Sequence, residues 1–241
     1  MKKTIVPIFC CFIFFSVFIV KASDAYGSSV FQLNQSPAQL ATRLQENYQK
    51  ISSLSFSFNQ KTSGQMSGRQ KTGKGNGILA KTSEGPRVRW NYTTPDRQVL
   101  ISDGQTIAMY FEKLNQMIIT PVDTAQLDFL FSLFSGEDPL VDMFMLLPPQ
   151  DHGSAEIIES DHSLDTLQLV PKQPESQIKQ IKLWINEATI IRRIELIDFF
   201  DTRTILNFSS IVVNPLDGKD AAAVETIFSF TPPDGTEIIK Q

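Results

Sequence analysis

The feature that most constrains this chain is a hydrophobic period of two that recurs along most of its length. The apolar members of two such runs are Leu54, Phe56, Phe58, Val88, Trp90 and Tyr92. This alternation is typical of β-strands with one buried face. About eleven such segments, the last of which contains Phe228 and Phe230, are joined by short turns. They exclude a parallel α/β fold and predict an antiparallel sheet curled into a barrel or half-barrel.

Three segments show helical spacing instead. The first begins at the N-cap Ser36 and is followed by the stripe Leu40, Leu44 and Tyr48. The second carries an apolar stripe made of Leu127, Leu130, Phe131 and Phe134. A third helix is predicted to open at Pro139 and to carry Leu140, Phe144 and Leu147. Such stripes are usually core, but a curled sheet with one apolar face also needs a cover, and these helices can provide it.

Three glycines alternate along one predicted strand, at positions 73, 75 and 77. They leave one face of that strand without side chains, which either bends the sheet or allows another group to approach closely. Of these two roles, the pattern favours bending.

The N-terminus has the features of a secretory signal peptide. Two lysines precede the uncharged run Thr4–Val20, and small residues follow it, so cleavage is expected after Ala22 or Ala25. Both cysteines, Cys10 and Cys11, lie inside this run, so the mature protein would have no thiol. These features predict export to the periplasm or beyond; an uncleaved membrane anchor is the alternative.

The remaining residues, 26–241, show no linker and are predicted to form a single domain and a soluble monomer. Hydrophobic residues make up 41% of the chain, which excludes a disordered chain. The formal net charge is −4 at pH 7, which argues against a nucleic-acid partner.

Residues suited to catalysis or metal binding are few. The two histidines, His152 and His162, follow Asp151 and Asp161 in polar stretches, and their spacing matches no metal or hydrolase motif. We therefore expect no cofactor, no metal and no enzymatic activity. A binding protein for an apolar ligand is favoured over two alternatives: a secreted hydrolase that uses scattered carboxylates, and a structural or regulatory envelope domain.

Several segments occur in an order and spacing typical of one family. They are Gly75–Leu79, Arg89–Gln98, Ile101–Thr106 and Phe228–Gly235. Together they resemble the LolA family of periplasmic outer-membrane lipoprotein carriers, over almost the whole mature chain.

The resemblance implies an incomplete, unclosed antiparallel β-barrel of eleven strands covered by short helices. Its apolar cavity would take the acyl chains of lipoproteins released by an inner-membrane ABC transporter and hand them to an outer-membrane receptor. The related receptors carry a lipidated N-terminal cysteine, which the mature chain would lack, so a carrier is preferred. A lipid-binding envelope-stress regulator of the same fold is the alternative.

The resemblance also implies a set of ligand-contacting residues. Val88 and Trp90 match family positions on the apolar strand face, and the lid position is matched by Leu127, Leu130, Phe131 and Phe134. The same apolar cavity and lid are expected to include Tyr92, Val99, Ile101 and Phe144. Residues 127–134 fall where the family has a lid helix. An arginine that latches this lid is replaced here by Glu84, so Arg87 or Arg89 is the candidate latch, although alternation places both on the face opposite Trp90.

Overall fold

The structure is a computed structural model. It describes residues 36–64, 70–103, 105–121, 139–148, 164–173 and 177–240. The predicted signal peptide, the lid stripe at 127–134 and the two histidines lie outside these described residues. In the described part of the chain, no helix has both the length and the apolar character that a membrane span requires.

The N-terminal half begins with a helix and continues with six strands and one 3-10 turn. The elements are α1 (Pro37–Lys50), β1 (Ser53–Ser63), β2 (Lys71–Thr82), β3 (Gly85–Thr94), β4 (Gln98–Ser102), β5 (Thr106–Phe111), the 3-10 turn Glu112–Leu114 and β6 (Gln116–Pro121).

The C-terminal half contains two more helices and six more strands. They are α2 (Leu140–Met143), β7 (Phe144–Leu147), β8 (Asp165–Pro171), β9 (Ile178–Ile185), β10 (Ile191–Asp198), β11 (Arg203–Val213), α3 (Ala221–Phe228) and β12 (Glu237–Lys240).

All the described strands belong to one sheet. Their order is β12-β6-β5-β4-β3-β2-β1-β11-β10-β9-β8-β7. Because β12 and β7 stand at opposite ends of this order, the sheet is not closed, and the predicted unclosed, mainly antiparallel architecture is confirmed. The sheet has twelve strands rather than eleven, and the added strand β12 pairs in parallel with β6.

Helix α1 forms as predicted because its ends are well capped. The Ser36 side chain accepts from the Gln39 amide, and the Gln39 side chain accepts from the Ser36 amide, which completes a capping box. At the other end, the Lys81 ammonium donates to the carbonyl oxygens of Tyr48 and Gln49 at 2.8 and 3.1 Å. Burial lowers the pKa of Lys81.

The apolar stripe of α1 packs into the main hydrophobic core. Leu44 is 0% exposed, and Tyr48 is 4% exposed. The Ile191 amide donates to the Tyr48 hydroxyl at 3.2 Å, and burial raises the pKa of Tyr48 to about 12. The Arg43 guanidinium also pairs with Asp165 at 2.8 Å. Helix α1 is therefore fixed to the sheet by packing and by polar contacts.

Two predicted elements are wrong. The helix that opens at Pro139 ends at Met143, because Phe144–Leu147 pairs with β8 as the edge strand β7. The segment containing Phe228 was expected to be a strand, but it is the end of α3. This helix is capped by Asp220, whose carboxylate accepts from the Ala223 amide at 2.7 Å.

Candidate functional site

The candidate site is the inner face of the sheet, defined as the face that carries Trp90 and contacts α1. Register places Phe56, Gly77, Trp90 and Leu100 side by side across four strands. Residues of β1, β3, β8, β9, β10 and β11 on this face share one hydrophobic core with α1. The inner face is therefore continuous and apolar from β3 to β8.

Five aromatic rings form the centre of this face, and we call them the aromatic cluster. Its members are Phe56, Phe58, Trp90, Tyr92 and Phe208. Ring centroids of contacting pairs lie 4.7 to 6.3 Å apart, mostly edge to face. This geometry is favourable for aromatic rings, and three of them, Phe56, Phe58 and Trp90, are buried.

The three glycines of β2 explain why these rings fit. A Cβ at Gly77 would lie 2.6 Å from the Phe56 ring, and one at Gly73 would lie 3.1 Å from the Tyr92 ring. At Gly75 a Cβ would lie 1.9 Å from the Asn91 carbonyl oxygen. Side chains of the neighbouring strands thus lie over the bare face of β2, which is the close-approach role that the sequence pattern ranked second.

The Trp90 indole is buried, and no described residue is its hydrogen-bond partner. Its residue is 6% exposed, and its Nε1 atom has no acceptor within reach among the described residues. Leaving a buried donor unsatisfied costs free energy. The aromatic cluster therefore contains a polar group that the described part of the chain does not satisfy.

A row of polar side chains borders the aromatic cluster, and we call it the polar row. The Tyr92 hydroxyl donates to Gln60 Oε1 at 2.7 Å, and Gln60 Nε2 donates to Thr62 Oγ1 at 3.2 Å. The Thr62 and Thr204 hydroxyl oxygens lie 3.2 Å apart. All four residues are half-buried, and burial raises the pKa of Tyr92.

The predicted site residues divide between the two faces. Val88, Trp90 and Tyr92 lie together on the inner face, and Phe144 joins the same core from β7. Val99 and Ile101 lie on the outer face, because their register partners are Asn91 and Arg89.

There, Val99 and Ile101 belong to a second cluster that includes Tyr110 and Phe230, whose ring centroids are 5.2 Å apart. Placing Val99 and Ile101 at the same site as Trp90 was therefore wrong.

The sequence analysis did not assign six further inner-face residues to the site, namely Phe56, Phe58, Phe208, Gln60, Thr62 and Thr204. The period of two in β1 placed the first two on one face, but only strand pairing brings all six together.

The candidate latch residues contact α3 on the outer face. The Arg87 guanidinium pairs with Glu84 at 2.5 Å and also with Glu225 of α3. Arg89 donates to the carbonyl oxygens of Ile227 and Ser229 at 2.8 and 3.1 Å. The predicted lid stripe lies outside the described residues, so the latch between these arginines and the lid stays a prediction.

A buried carboxylate, Glu195, also lies on the outer face. It accepts from Arg203 at 2.7 Å and lies 3.7 Å from the Arg193 guanidinium. Two positive charges therefore neutralise it. Within the described ranges, no group of three or more histidine, cysteine, aspartate or glutamate residues could hold a metal ion.

Unclosed, curved sheets with an apolar inner face are suited to enclosing apolar ligands. The sequence profile of the LolA family, described as outer membrane lipoprotein carrier protein LolA, matches residues 49–221. Because this match covers most of the chain, the protein belongs to the LolA family.

Individual relatives agree with this assignment. An outer-membrane lipoprotein carrier protein of Cupriavidus necator is 30% identical over 188 residues, which cover 74% of this chain and 81% of that protein. A carrier of the same name from Francisella tularensis subsp. novicida is 25% identical over 243 residues, covering 100% of this chain and 98% of that protein.

Solved structures show more distant likenesses. A LolA superfamily protein from Nitrosomonas europaea has a TM-score of 0.37 at 11% identity, covering 79% of this chain and 97% of that chain. The MucA/MucB complex of Pseudomonas aeruginosa has a TM-score of 0.38 at 14% identity, covering 73% of this chain and 56% of that chain.

Proposed function

We propose that this protein is a periplasmic carrier, without enzymatic activity, that binds the acyl chains of lipoproteins released from the inner membrane and delivers them to an outer-membrane receptor. The observation that carries the proposal is the aromatic cluster on the inner face of an open sheet. Membership of the LolA family supports it, because the named relatives are lipoprotein carriers.

The free energy of exposing an acyl chain explains why a carrier is needed. Each CH₂ group transferred into water costs about 0.8 kcal/mol, so one chain of ~16 carbons costs about 12 kcal/mol. A lipoprotein with such chains cannot cross an aqueous compartment unshielded. The inner face replaces the hydrocarbon of the membrane during transit, and its half-buried residues, such as Leu100 and Phe208, allow the ligand to leave again.

The proposed location and partners follow from the same function. Residues 1–25 act as the cleaved signal peptide, and residues 26–241 form the single carrier domain. The carrier works as a monomer that receives cargo from the inner-membrane lipoprotein-releasing ABC transporter. Its other partner is the outer-membrane lipoprotein receptor.

Transfer of an acylated cargo tests the proposal directly. The protein is purified from the periplasm and added to inner-membrane vesicles that contain the transporter, ATP and a labelled lipoprotein. We expect the cargo to appear in a soluble complex with the carrier and then in an outer-membrane acceptor. Cargo that stays in the vesicles would contradict the proposal. Hydrolysis of an ester or peptide substrate that disappears in Asp151→Ala or His152→Ala would support the hydrolase instead.

Substitution in the predicted lid stripe separates a lid from ordinary core. A mobile cover can expose a new carboxylate to water, so Phe131→Asp should give a folded protein with impaired cargo transfer. Leu114→Asp, at a residue that is 62% exposed, is the matched control and should transfer normally. If Phe131→Asp prevents folding, the stripe is core; if it transfers like wild type, the stripe does not contact the ligand.

A further inference from the structure

The hydrogen bonds of the polar row leave donors unused. Tyr92 donates to Gln60, and Gln60 donates to Thr62, so the donors all run in one direction along the row. One threonine hydroxyl of the last pair donates to the other. Whichever of Thr62 and Thr204 donates, the hydroxyl hydrogen of the other has no acceptor within the row.

The position of the row makes these donors available to a ligand on the aromatic cluster. Tyr92 belongs to both, and its ring centroid lies 4.9 Å from that of Phe58. Gln60 and Thr62 follow Phe58 on the same face of β1, because side chains two residues apart share a face. Thr204 is the register partner of Thr62 and also lines a small hollow with Ile178 and Leu196.

The charge of the row selects the chemical class of the group that it can bind. Its four side chains are neutral, and the row ends in hydrogen-bond donors. A carbonyl oxygen is a neutral acceptor with no donor of its own, whereas a carboxylate or a phosphate favours a cationic partner. The unsatisfied Nε1–H of Trp90 is a further neutral donor within the cluster.

We propose that the polar row is the subsite for the ester carbonyl oxygens of the acylated ligand, whose hydrocarbon chains lie on the aromatic cluster. This inference rests on the proposed function and adds a specificity to it. The protein recognises the ligand as a neutral acyl ester and not only as a hydrocarbon. In the unliganded protein, Thr62 or Thr204 keeps one hydroxyl hydrogen for that carbonyl.

The test compares two ligands that differ only in the carbonyl groups. Dioctanoylglycerol and its ether analogue di-O-octylglycerol compete with a fluorescent fatty-acid probe for the protein purified from the periplasm. Wild type should bind the ester at least about fivefold more tightly than the ether, because one neutral hydrogen bond contributes about that factor to the affinity. Equal affinity of wild type for the two ligands would overturn the inference.

Variants then assign the preference to the row. Thr62→Val with Thr204→Val keeps the side-chain shape but removes both hydroxyls, and it should abolish the ester preference while leaving ether affinity unchanged. Thr93→Val, on the exposed outer face of β3, is the matched control and should keep the preference. The single variant Thr204→Ser, which has a hydroxyl at position 204 beside the intact Thr62, should show the ester preference that the double variant lacks.

The outcomes separate the two proposals. If neither the fatty-acid probe nor either ligand binds, acyl binding itself fails, and the proposed function falls with it. If both ligands bind and the double variant keeps the ester preference, the carrier proposal stands and the carbonyl subsite is wrong. Thermal unfolding of each variant tests whether it is folded. If the double variant does not fold, the ratio of the ester and ether affinities of wild type decides alone.

Discussion

Helices α1 and α3 lie against opposite faces of the sheet and are held by different forces. Helix α1 buries Leu40, Leu44 and Tyr48 in the core of the inner face. Helix α3 is largely exposed, with Phe228 as its buried residue, and it is held by Arg87 and Arg89 on β3. The comparison teaches that the inner face is built by apolar burial and the outer face around α3 by charge and hydrogen bonding.

The largest expected effect is at Leu44. Leu44→Asp would place an unpaired carboxylate in fixed packing, so we expect a loss of about 4 kcal/mol or more in the free energy of unfolding. Folded yield and thermal unfolding measure this loss. Ala222→Asp is the matched control, because it is exposed in the first turn of α3, where an acidic residue is favourable. Comparable losses in both variants would contradict the distinction between the helices.

The glycines of β2 give a graded test of the inner face. Gly75→Ala should cost roughly 2–3 kcal/mol, because its Cβ would meet backbone that cannot move independently. Gly77→Ala should cost less, because only the Phe56 ring must shift, and Gly73→Ala should cost least. Chemical denaturation measures all three. An equal cost at the three positions would show that the rings are not what the glycines accommodate.

Tyr48 makes the attachment of α1 sensitive to alkaline pH. Burial raises its pKa from 10.0 to about 12, so the folded state keeps a proton that the unfolded state loses above pH 10. Stability should therefore fall by about 2 kcal/mol as pH rises from 10 to 12. Other groups titrate in this range as well, so the measured quantity is the difference from Tyr48→Phe. That variant lacks the hydrogen bond from the Ile191 amide, so its free energy of unfolding should be about 1 kcal/mol lower at neutral pH. Its stability should decline less above pH 10 than that of wild type. Parallel pH profiles would contradict the prediction.

The smallest effect is expected on α3. Glu225 is 62% exposed where it pairs with Arg87, and Arg87 keeps Glu84 as a second partner. Glu225→Gln should therefore cost at most about 1 kcal/mol, and the difference from wild type should shrink in about 1 M salt. Denaturation at low and high salt checks both statements. A large loss that is independent of salt would mean that α3 is held by burial, like α1.

Local patterns predicted most of the elements on the inner face. The capping box and apolar stripe of α1 involve residues within a few positions of one another, and the alternation in β1 and β3 is equally local. The outer-face position of Val99 and Ile101 was not readable in this way. The run Val99–Ile101 is apolar at every position, so alternation does not distinguish its two faces.

Long-range pairing decided the rest. The apolar run after Pro139 is compatible with a helix or a strand, and it becomes strand β7 because β8 offers an unpaired edge. Strand β12 joins β6 in parallel through contacts between distant residues, such as the hydrogen bond from Asn115 to the Gly235 carbonyl at 2.8 Å. The sequence did contain local signals that indicate helix α3, namely the N-cap Asp220 and the alanines that follow it.

The sequence by itself determined the mainly antiparallel sheet, the position of α1 and the face on which Trp90 lies, because periodicity and capping act over a few residues. Only the tertiary structure decided which side chains meet across strands. It brought Phe56, Phe58, Trp90 and Phe208 into one cluster, and it joined Thr62 to Thr204. Residues so far apart along the chain become neighbours only through strand register, and register depends on the pairing of the whole sheet.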